Sequence, residues 1–131
     1  MKTLHIKSRK HTEMIDITRD VLNIVCEDEV TDGVVVIFTP HTTAAITINE
    51  NADPDVCRDM IKGMNKVIPL LDDYQHLEGN SAAHIKSSLF GASETLIINN
   101  GKIVLGTWQG IYLCEFDGPR QRKVEIKVIG K

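Results

Sequence analysis

The stretch Leu96-Ile97-Ile98-Asn99-Asn100-Gly101-Lys102-Ile103-Val104-Leu105 decides the fold class of this 131-residue chain. Two apolar runs, residues 96–98 and 103–105, flank an Asn-Gly pair. Asn-Gly is the favoured pair for a type I′ hairpin turn, because both central residues of that turn need positive φ. The stretch therefore predicts a tight β-hairpin in the last third of the chain.

Strand patterns extend outward from this hairpin in both directions. Residues 107–116 are apolar on both faces, which predicts one long strand in the centre of a sheet. Residues 124–128 alternate apolar and charged side chains, as a half-exposed strand does. Earlier strands are predicted at residues 2–7, 14–17, 34–38 and 43–49, and the apolar run 34–38 is expected to be buried on both faces.

Helical spacing occurs between the early strands. Thr18 is the predicted N-cap of a first helix that stops at Asp32-Gly33, with Gly33 in a left-handed conformation. Asp53-Pro54 opens a second helix, which has the apolar stripe Cys57, Met60, Ile61, Met64 and Ile68.

A loop over residues 69–80 leads to a third helix at 81–90, with Ala82, Ile85 and Leu89 on its apolar face and His84 elsewhere. The count is thus about seven strands and three helices, with the helices confined to the first part of the chain. This order predicts one α+β domain over residues 1–131, built on a largely antiparallel sheet or sandwich.

Composition and charge exclude several functional classes. Fifteen basic and eighteen acidic residues give a net charge of −3, without the basic excess of a nucleic-acid-binding domain. No apolar run approaches the ~20 residues that span a bilayer, and the first ten residues lack the apolar centre of a signal peptide. We therefore expect a cytoplasmic protein whose three cysteines, Cys26, Cys57 and Cys114, are buried free thiols.

The five histidines fall into two groups. His5, on an alternating strand, and His11, in a polar connector, are expected to be incidental. His41, His76 and His84 all lie in loops or at element ends. Three imidazoles with an open fourth position form the ligand set of a catalytic zinc site. Their spacing matches no compact metal motif, so three independent surface or hydrogen-bonded histidines are the alternative.

Two further features concern anions and metals. Arg120 and Arg122 follow the turn at residues 117–119, and the helix start at Asn80-Ser81 offers free backbone N–H groups. Six carboxylates lie in or next to loops: Glu50, Asp53, Asp55, Asp72, Asp73 and Glu78. They could hold Mg²⁺ for a phosphate or diphosphate substrate. The alternative is that they are solvated charges, with Asp53 as a helix cap. Walker A, Rossmann and GxSxG motifs do not occur.

Five motifs together give the chain a recognisable family pattern. The sequence resembles the YjbQ family over essentially its whole length. The resemblance is carried by residues 40–45, 49–55, 78–86, 106–111 and 115–120. The family signature, from Ser93 through Gly101 to the run Gly106-Thr107-Trp108-Gln109, is present without a departure.

The resemblance implies a compact α+β fold on an antiparallel β-sandwich, and a homotrimer. It also implies secondary thiamine-phosphate synthase activity, in which a hydroxymethylpyrimidine diphosphate is joined to a thiazole phosphate and diphosphate is released. His41, His76 and His84 match the family's recurrent histidines, which are expected to converge on a metal or anion site. Glu78, Asn80, Trp108, Gln109 and Arg120 lie on further motif positions.

Three hypotheses follow. In a synthase, Arg120, Arg122 or a metal on the histidines would clamp the diphosphate, and Trp108 would stack on a ring or belong to the core. In a metal-dependent hydrolase or lyase of a small phosphorylated compound, a histidine-bound metal would activate water, with Glu78 as general base. The third is a non-catalytic trimer that binds a metal or small ligand. Three histidines favour zinc, whereas diphosphate chemistry favours magnesium.

Overall fold

Eight strands and three helices follow one another in the computed structural model, which describes residues 1–131. Their bounds, in chain order, are β1 (Lys2–Lys7), β2 (Glu13–Asp16), α1 (Thr18–Glu27), β3 (Asp32–Phe38), β4 (Ala44–Glu50), α2 (Pro54–Val67), α3 (Ser81–Phe90), β5 (Ser93–Asn99), β6 (Lys102–Ile103), β7 (Gln109–Glu115) and β8 (Gln121–Gly130). This confirms the α+β fold class.

Two antiparallel sheets share one apolar core. The larger sheet has the strand order β1-β8-β3-β5-β6 and the smaller one has the order β2-β7-β4. The main core cluster of 14 buried residues combines side chains from both sheets with those of α1. β7 is the central strand of the smaller sheet, and all six of its residues from Gly110 to Glu115 are buried, as predicted from its two apolar faces.

The hairpin around Asn100-Gly101 is confirmed. Asn100 has φ 52° and Gly101 has φ 76°, the two positive values that a type I′ turn needs. Ile98 pairs with Ile103 across the two-residue turn. The second arm is shorter than predicted, since β6 ends at Ile103, although the Val104 N–H still donates to Ile97 O at 2.8 Å.

The predicted boundaries of α1 are wrong at both ends. The N-cap is Ile17, and the Thr18 hydroxyl instead accepts a hydrogen bond from the Ile111 N–H (2.8 Å), which ties the helix to β7. At the other end α1 stops at Glu27, and the left-handed residue there is Glu29, with φ 54°. Gly33 lies inside β3, where a Cβ atom would stand 2.1 Å from Ile129 O. Gly33 is therefore required by close backbone packing between β3 and β8.

The burial of α2 and α3 also differs from the prediction. No residue of α2 is buried, so its apolar stripe is half-exposed and only Ile68, just beyond the helix, is buried. α3 turns Ile85 and Leu89 outward and buries Ala82, Ala83, Lys86 and Ser87. The reason lies in polar contacts: the Ser87 hydroxyl donates to Ala44 O (2.7 Å) and the Lys86 ammonium donates to Asn65 Oδ1 (2.5 Å).

Several smaller predictions can be scored directly. In β3, Val35 and Ile37 are buried, whereas the outward-facing Val34 and Val36 are only half-buried. The cysteines are all free, but Cys26 is exposed and Cys57 is half-buried, so only Cys114 fits the expected buried thiol. No helix has the length and apolar character needed to cross a membrane.

Gly33→Ala tests the close approach of β3 and β8. We expect a loss of about 1–3 kcal/mol in the free energy of unfolding, because the new methyl group must push backbone atoms apart. Gly63→Ala is the matched control, since a Cβ atom there meets nothing within 4 Å. In the exposed interior of α2 it should stabilise by about 0.5–1 kcal/mol. Equal denaturation midpoints for Gly33→Ala and the parent chain would contradict the prediction.

Candidate functional site

A polar cleft of about 430 Å³ lies where the β3–β4 connection, the loop before α3 and the β7–β8 turn meet. Seven of the nine predicted site residues line it: His41, His76, Glu78, Asn80, His84, Arg120 and Arg122. Pro40, Thr42, Thr43 and Asp117 complete the wall. The β3–β4 connection, the loop before α3 and the first turn of α3 therefore bring the three histidines to one cleft.

Trp108 and Gln109 do not line this cleft. They stand at the start of β7, whereas the cleft lies at the other end of that strand, beyond Glu115. Six strand residues at about 3.3 Å each place the two ends about 20 Å apart. Trp108 is 61% exposed, and the Gln109 side chain accepts a hydrogen bond from the Gly106 N–H (2.7 Å). Gln109 thus closes a turn.

A buried ion pair joins Glu115 to Arg122, and Arg122 is part of the lining of the cleft. The two side chains are 0% and 4% exposed. Arg122 Nε donates to Glu115 Oε1 at 2.9 Å, and Arg122 Nη2 donates to Thr43 Oγ1 at 2.8 Å. The Ser8 hydroxyl donates to the same carboxylate at 2.6 Å. These contacts fix the guanidinium plane.

One nitrogen of this guanidinium remains free. Arg122 Nη1 makes no hydrogen bond within the chain. Asn80 Oδ1 is the one fully buried side-chain polar atom that lacks a hydrogen-bond partner, so the unpartnered Nη1 retains some solvent exposure. Arg122 lines the cleft. Nη1 is therefore a donor without a partner in the chain, on a side chain whose plane is fixed and which lines the cleft.

The ionisation of Glu115 is controlled by the same contacts. Burial alone would raise the pKa of this carboxyl group. The hydrogen bonds from Arg122, from Ser8 and from the Asp117 N–H outweigh burial, so the pKa lies below its ordinary value. The carboxylate consequently stays charged and keeps Arg122 in place at neutral pH.

His41 contributes a second fixed donor. Its Nε2 accepts a hydrogen bond from the Lys123 N–H at 3.0 Å. Burial and the nearby Arg122 charge lower the pKa of the ring, which favours the neutral form. Because Nε2 is the acceptor, the proton of a neutral ring resides on Nδ1. His41 lines the cleft, where Nδ1–H has no competing partner in the chain.

Carboxylates occupy another part of the wall. Asn80 Nδ2 donates to Asp117 Oδ2 (2.9 Å) and to Glu78 Oε2 (3.5 Å), so the amide spans both groups. Arg120 Nη2 also donates to Asp117 Oδ2, at 2.8 Å. The Asn80 side chain makes no capping hydrogen bond to α3, and the Ala83 N–H is bound instead by the Asn80 carbonyl oxygen at 3.1 Å.

The remaining histidines sit close to these groups. The rings of His76 and His84 meet edge to face, with centroids 5.4 Å apart. His11 Nε2 stands 3.8 Å from Asp117 Oδ1, so His11 lies next to the site without lining the cleft. The expectation that His11 is incidental therefore missed its position, whereas His5 is exposed on β1 as expected.

Three residues that hydrogen-bond to the side chains of predicted site residues were missed by sequence reasoning: Thr43, Glu115 and Asp117. All three lie within quoted motifs, at residues 40–45 and 115–120. Asp117 was interpreted only as part of a turn, and Glu115 only as part of a strand. The available signal was that Glu115 and Asp117 lie a few residues before Arg120 and Arg122 in the sequence. A buried guanidinium group needs a carboxylate partner.

Comparison with known proteins assigns the family. The sequence profile of the UPF0047 protein YjbQ-like family matches residues 2–131. The chain belongs to this family. It is 56% identical to the UPF0047 protein YugU of Bacillus subtilis over 131 residues, covering 99% of both chains. It is 39% identical to the UPF0047 protein YjbQ of Escherichia coli O157:H7 over 117 residues, covering 86% of this chain and 83% of the relative.

Solved structures of this family share the fold. A YjbQ/UPF0047 family protein from Clostridium acetobutylicum superposes with a TM-score of 0.97 at 56% identity, covering 98% of this chain and 100% of the other. A protein of unknown function from Sulfolobus solfataricus gives a TM-score of 0.96 at 30% identity, covering 99% and 96%. The architecture is therefore maintained at low sequence identity within the YjbQ-like family.

The donor set does not fit a preformed three-histidine metal centre. No three His, Cys, Asp or Glu side chains are placed to hold one ion together. His41 Nε2 is already bound to the Lys123 N–H. Of the six loop carboxylates considered for Mg²⁺, only Glu78 lines the cleft, and Asp53 caps α2 by accepting from the Asp55 N–H at 2.9 Å. Zinc or magnesium binding stays a prediction.

Glu115→Gln tests the buried ion pair. It leaves the Arg122 charge buried without a counter-ion, so we expect a loss of about 3–5 kcal/mol in the free energy of unfolding at pH 7. The lowered pKa of Glu115 stabilises the fold above the ordinary carboxyl range, and this stabilisation is lost as pH falls through the folded-state pKa. Urea denaturation from pH 7 to pH 3 should therefore show a smaller acid-induced loss in the variant.

Two further variants serve as controls for this prediction. Glu94→Gln changes a carboxylate of β5 that forms no ion pair, and should leave the pH profile unchanged. The double variant Glu115→Gln/Arg122→Met removes the unpaired charge and should regain part of the stability that Glu115→Gln loses. A Glu115→Gln chain as stable as the parent at pH 7 would contradict the assignment of the pair.

Proposed function

We propose that this YjbQ-like protein binds the phosphate or diphosphate group of a small compound in the polar cleft and catalyses transfer from it. The observation that supports this most directly is the pair of fixed donors, Arg122 Nη1 and His41 Nδ1–H. Both are held by contacts within the chain before any ligand arrives. Preorganised donors of this kind stabilise charge that develops on an oxyanion.

The reaction proposed first is the thiamine-phosphate synthase reaction that the family resemblance implies. Departure of diphosphate leaves positive charge on the pyrimidine methylene carbon and negative charge on the leaving group. The fixed donors would hold the diphosphate, while Glu78 and Asp117 offer carboxylates toward the positive centre. Since Trp108 lies far from the cleft, the rings of His76 and His84 are the aromatic surfaces available for a heteroaromatic substrate.

A second candidate is hydrolysis of a small phosphorylated compound, or an elimination reaction as catalysed by a lyase. The observation that favours it is the presence of Glu78 in the same cleft as His76 and His84, where a carboxylate could act as general base toward water. A metal-dependent form would require those two histidines to gain a third donor. A non-catalytic ligand-binding role is the third reading, and the turnover experiment below separates it from the other two.

Binding of inorganic diphosphate, measured by isothermal titration calorimetry, tests the phosphate site. We expect binding by the parent chain and a roughly tenfold or greater loss in His41→Met, because methionine has no N–H donor and its thioether sulfur is only a weak acceptor for Lys123 N–H. His5→Met, the matched change at an exposed histidine outside the cleft, should bind like the parent. Equal affinity of all three chains would contradict the proposal.

Turnover decides between the chemical alternatives. With hydroxymethylpyrimidine diphosphate and thiazole phosphate supplied together, formation of thiamine phosphate supports the synthase, and His84→Ala should abolish it. Release of phosphate without a coupled product supports hydrolysis. Diphosphate binding with no turnover of any tested ester would support the non-catalytic reading.

Two exposed apolar surfaces support a homotrimer. One is on the outer face of the larger sheet, where the exposed Ile97, Val104 and Ile129 surround the half-buried Val34. The other lies at the end of α2 and in the following loop, with Val67, Leu70, Leu71 and Leu77 exposed. A cyclic trimer joins two different surfaces of neighbouring subunits, so a chain that forms one needs two complementary patches.

Ile97→Glu tests this assembly. A carboxylate in the centre of the outer sheet face should convert the trimer to a monomer, measured by size-exclusion chromatography with light scattering. His5→Glu, on the polar half of the same sheet, should leave the mass unchanged. A parent chain that is monomeric, or an Ile97→Glu chain that remains trimeric, would contradict the proposed interface.

The proposed location is the cytoplasm. All three cysteines are free thiols. Cys57 and Cys114 form no disulfide even though Cys57 packs against the apolar cluster that contains Cys114. Free thiols persist in a reducing compartment, where disulfides are rare.

A further inference from the structure

The formal charges around the cleft do not match a simple phosphate ligand. Two guanidinium groups, Arg120 and Arg122, stand against three carboxylates, Glu78, Asp117 and Glu115, of which Glu115 does not line the cleft but is the buried partner of Arg122. These five groups together carry one net negative charge. A phosphate dianion adds two more, so the charges of the protein alone do not balance it.

Both arginines are already engaged by carboxylates. Arg122 is bound by Glu115, and Arg120 is bound by the side chain and the carbonyl oxygen of Asp117, each at 2.8 Å. What Arg122 offers a ligand is a single hydrogen-bond donor, Nη1, on a side chain that is more than nine-tenths buried. The site therefore orients a phosphate group well and neutralises it poorly.

Unused acceptors stand elsewhere in the same cleft. Glu78 forms no ion pair, and its one side-chain contact is the long hydrogen bond from Asn80 Nδ2. Asp117 Oδ1 accepts no hydrogen bond, and His11 Nε2 stands 3.8 Å from it, whereas Asp117 Oδ2 is bound by Arg120 and Asn80. A ligand group that fits here donates hydrogen bonds and carries positive charge.

From these two features we infer that the cleft selects small phosphorylated compounds that also carry a protonated amine or another cationic nitrogen. The phosphate lies on Arg122 Nη1 and His41 Nδ1–H, and the cationic nitrogen lies on Glu78 and Asp117. A zwitterionic ligand supplies the positive charge that the protein lacks. A cleft of about 430 Å³ accommodates both groups of one small molecule. This inference rests on the proposed phosphate binding.

Paired ligands of nearly equal size test this selectivity. Phosphoethanolamine and ethyl phosphate both carry a phosphate monoester, and only the first carries an ammonium group. By titration calorimetry at pH 7.5, with EDTA present, we expect phosphoethanolamine to bind at least tenfold more tightly. Glu78→Gln should reduce that ratio to near one, while Glu94→Gln, the control on β5, should preserve it.

The possible outcomes separate this inference from the function on which it rests. If neither ester nor inorganic diphosphate binds, the proposed phosphate site is wrong. If both esters bind with equal affinity, phosphate binding stands and amine selectivity is wrong. If millimolar Mg²⁺ in place of EDTA raises the affinity for ethyl phosphate to that for phosphoethanolamine, a metal ion supplies the charge and the amine assignment is overturned. A preserved ratio in Glu78→Gln likewise overturns the assigned partner.

Discussion

The buried pair of Glu115 and Arg122 is the interaction on which both the fold and the cleft depend. Glu115 ends β7 in the smaller sheet, and Arg122 lies near the start of β8 in the larger one, so the pair joins the two sheets. Ser8 at the end of β1 and Thr43 before β4 bind to it. Isolated charges at such depth would be strongly unfavourable, and the four-residue arrangement satisfies them together.

This arrangement also explains why the cleft has a fixed shape. A surface arginine samples many rotamers, whereas Arg122, which lines the cleft, has its plane set by two partners that leave Nη1 unbound. His41 is fixed in the same manner through the Lys123 N–H, one residue beyond Arg122 on β8. The donors that a ligand would meet are thus held by the sheet itself, which lowers the entropy lost on binding.

The local features of the fold were predictable, and the partners of each exposed face were not. Asn100-Gly101 specifies its turn through two positive φ values, which need no distant contact. The apolar stripe of α2 predicts that one face of the helix is buried, but it does not specify that the covering surface belongs to the same chain. Likewise the Thr18 hydroxyl has the right chemistry for a helix cap, and β7 competes for it successfully.

The site divides along the same line. His41, His76 and His84 could be grouped because loops that bear small polar residues tend to gather at one end of a sheet, and the cleft contains all three. Trp108 and Arg120 lie in neighbouring sequence motifs, but strand β7 separates them, so they lie near opposite ends of that strand. The two arginines alone suggested a positively charged phosphate site, but the structure pairs each of them with a carboxylate. Arg120 and Arg122 are balanced by Asp117 and Glu115, so their charge serves to position hydrogen-bond donors. Under the proposed phosphate binding, such a site would recognise its ligand through geometry, and the ligand would supply the compensating charge.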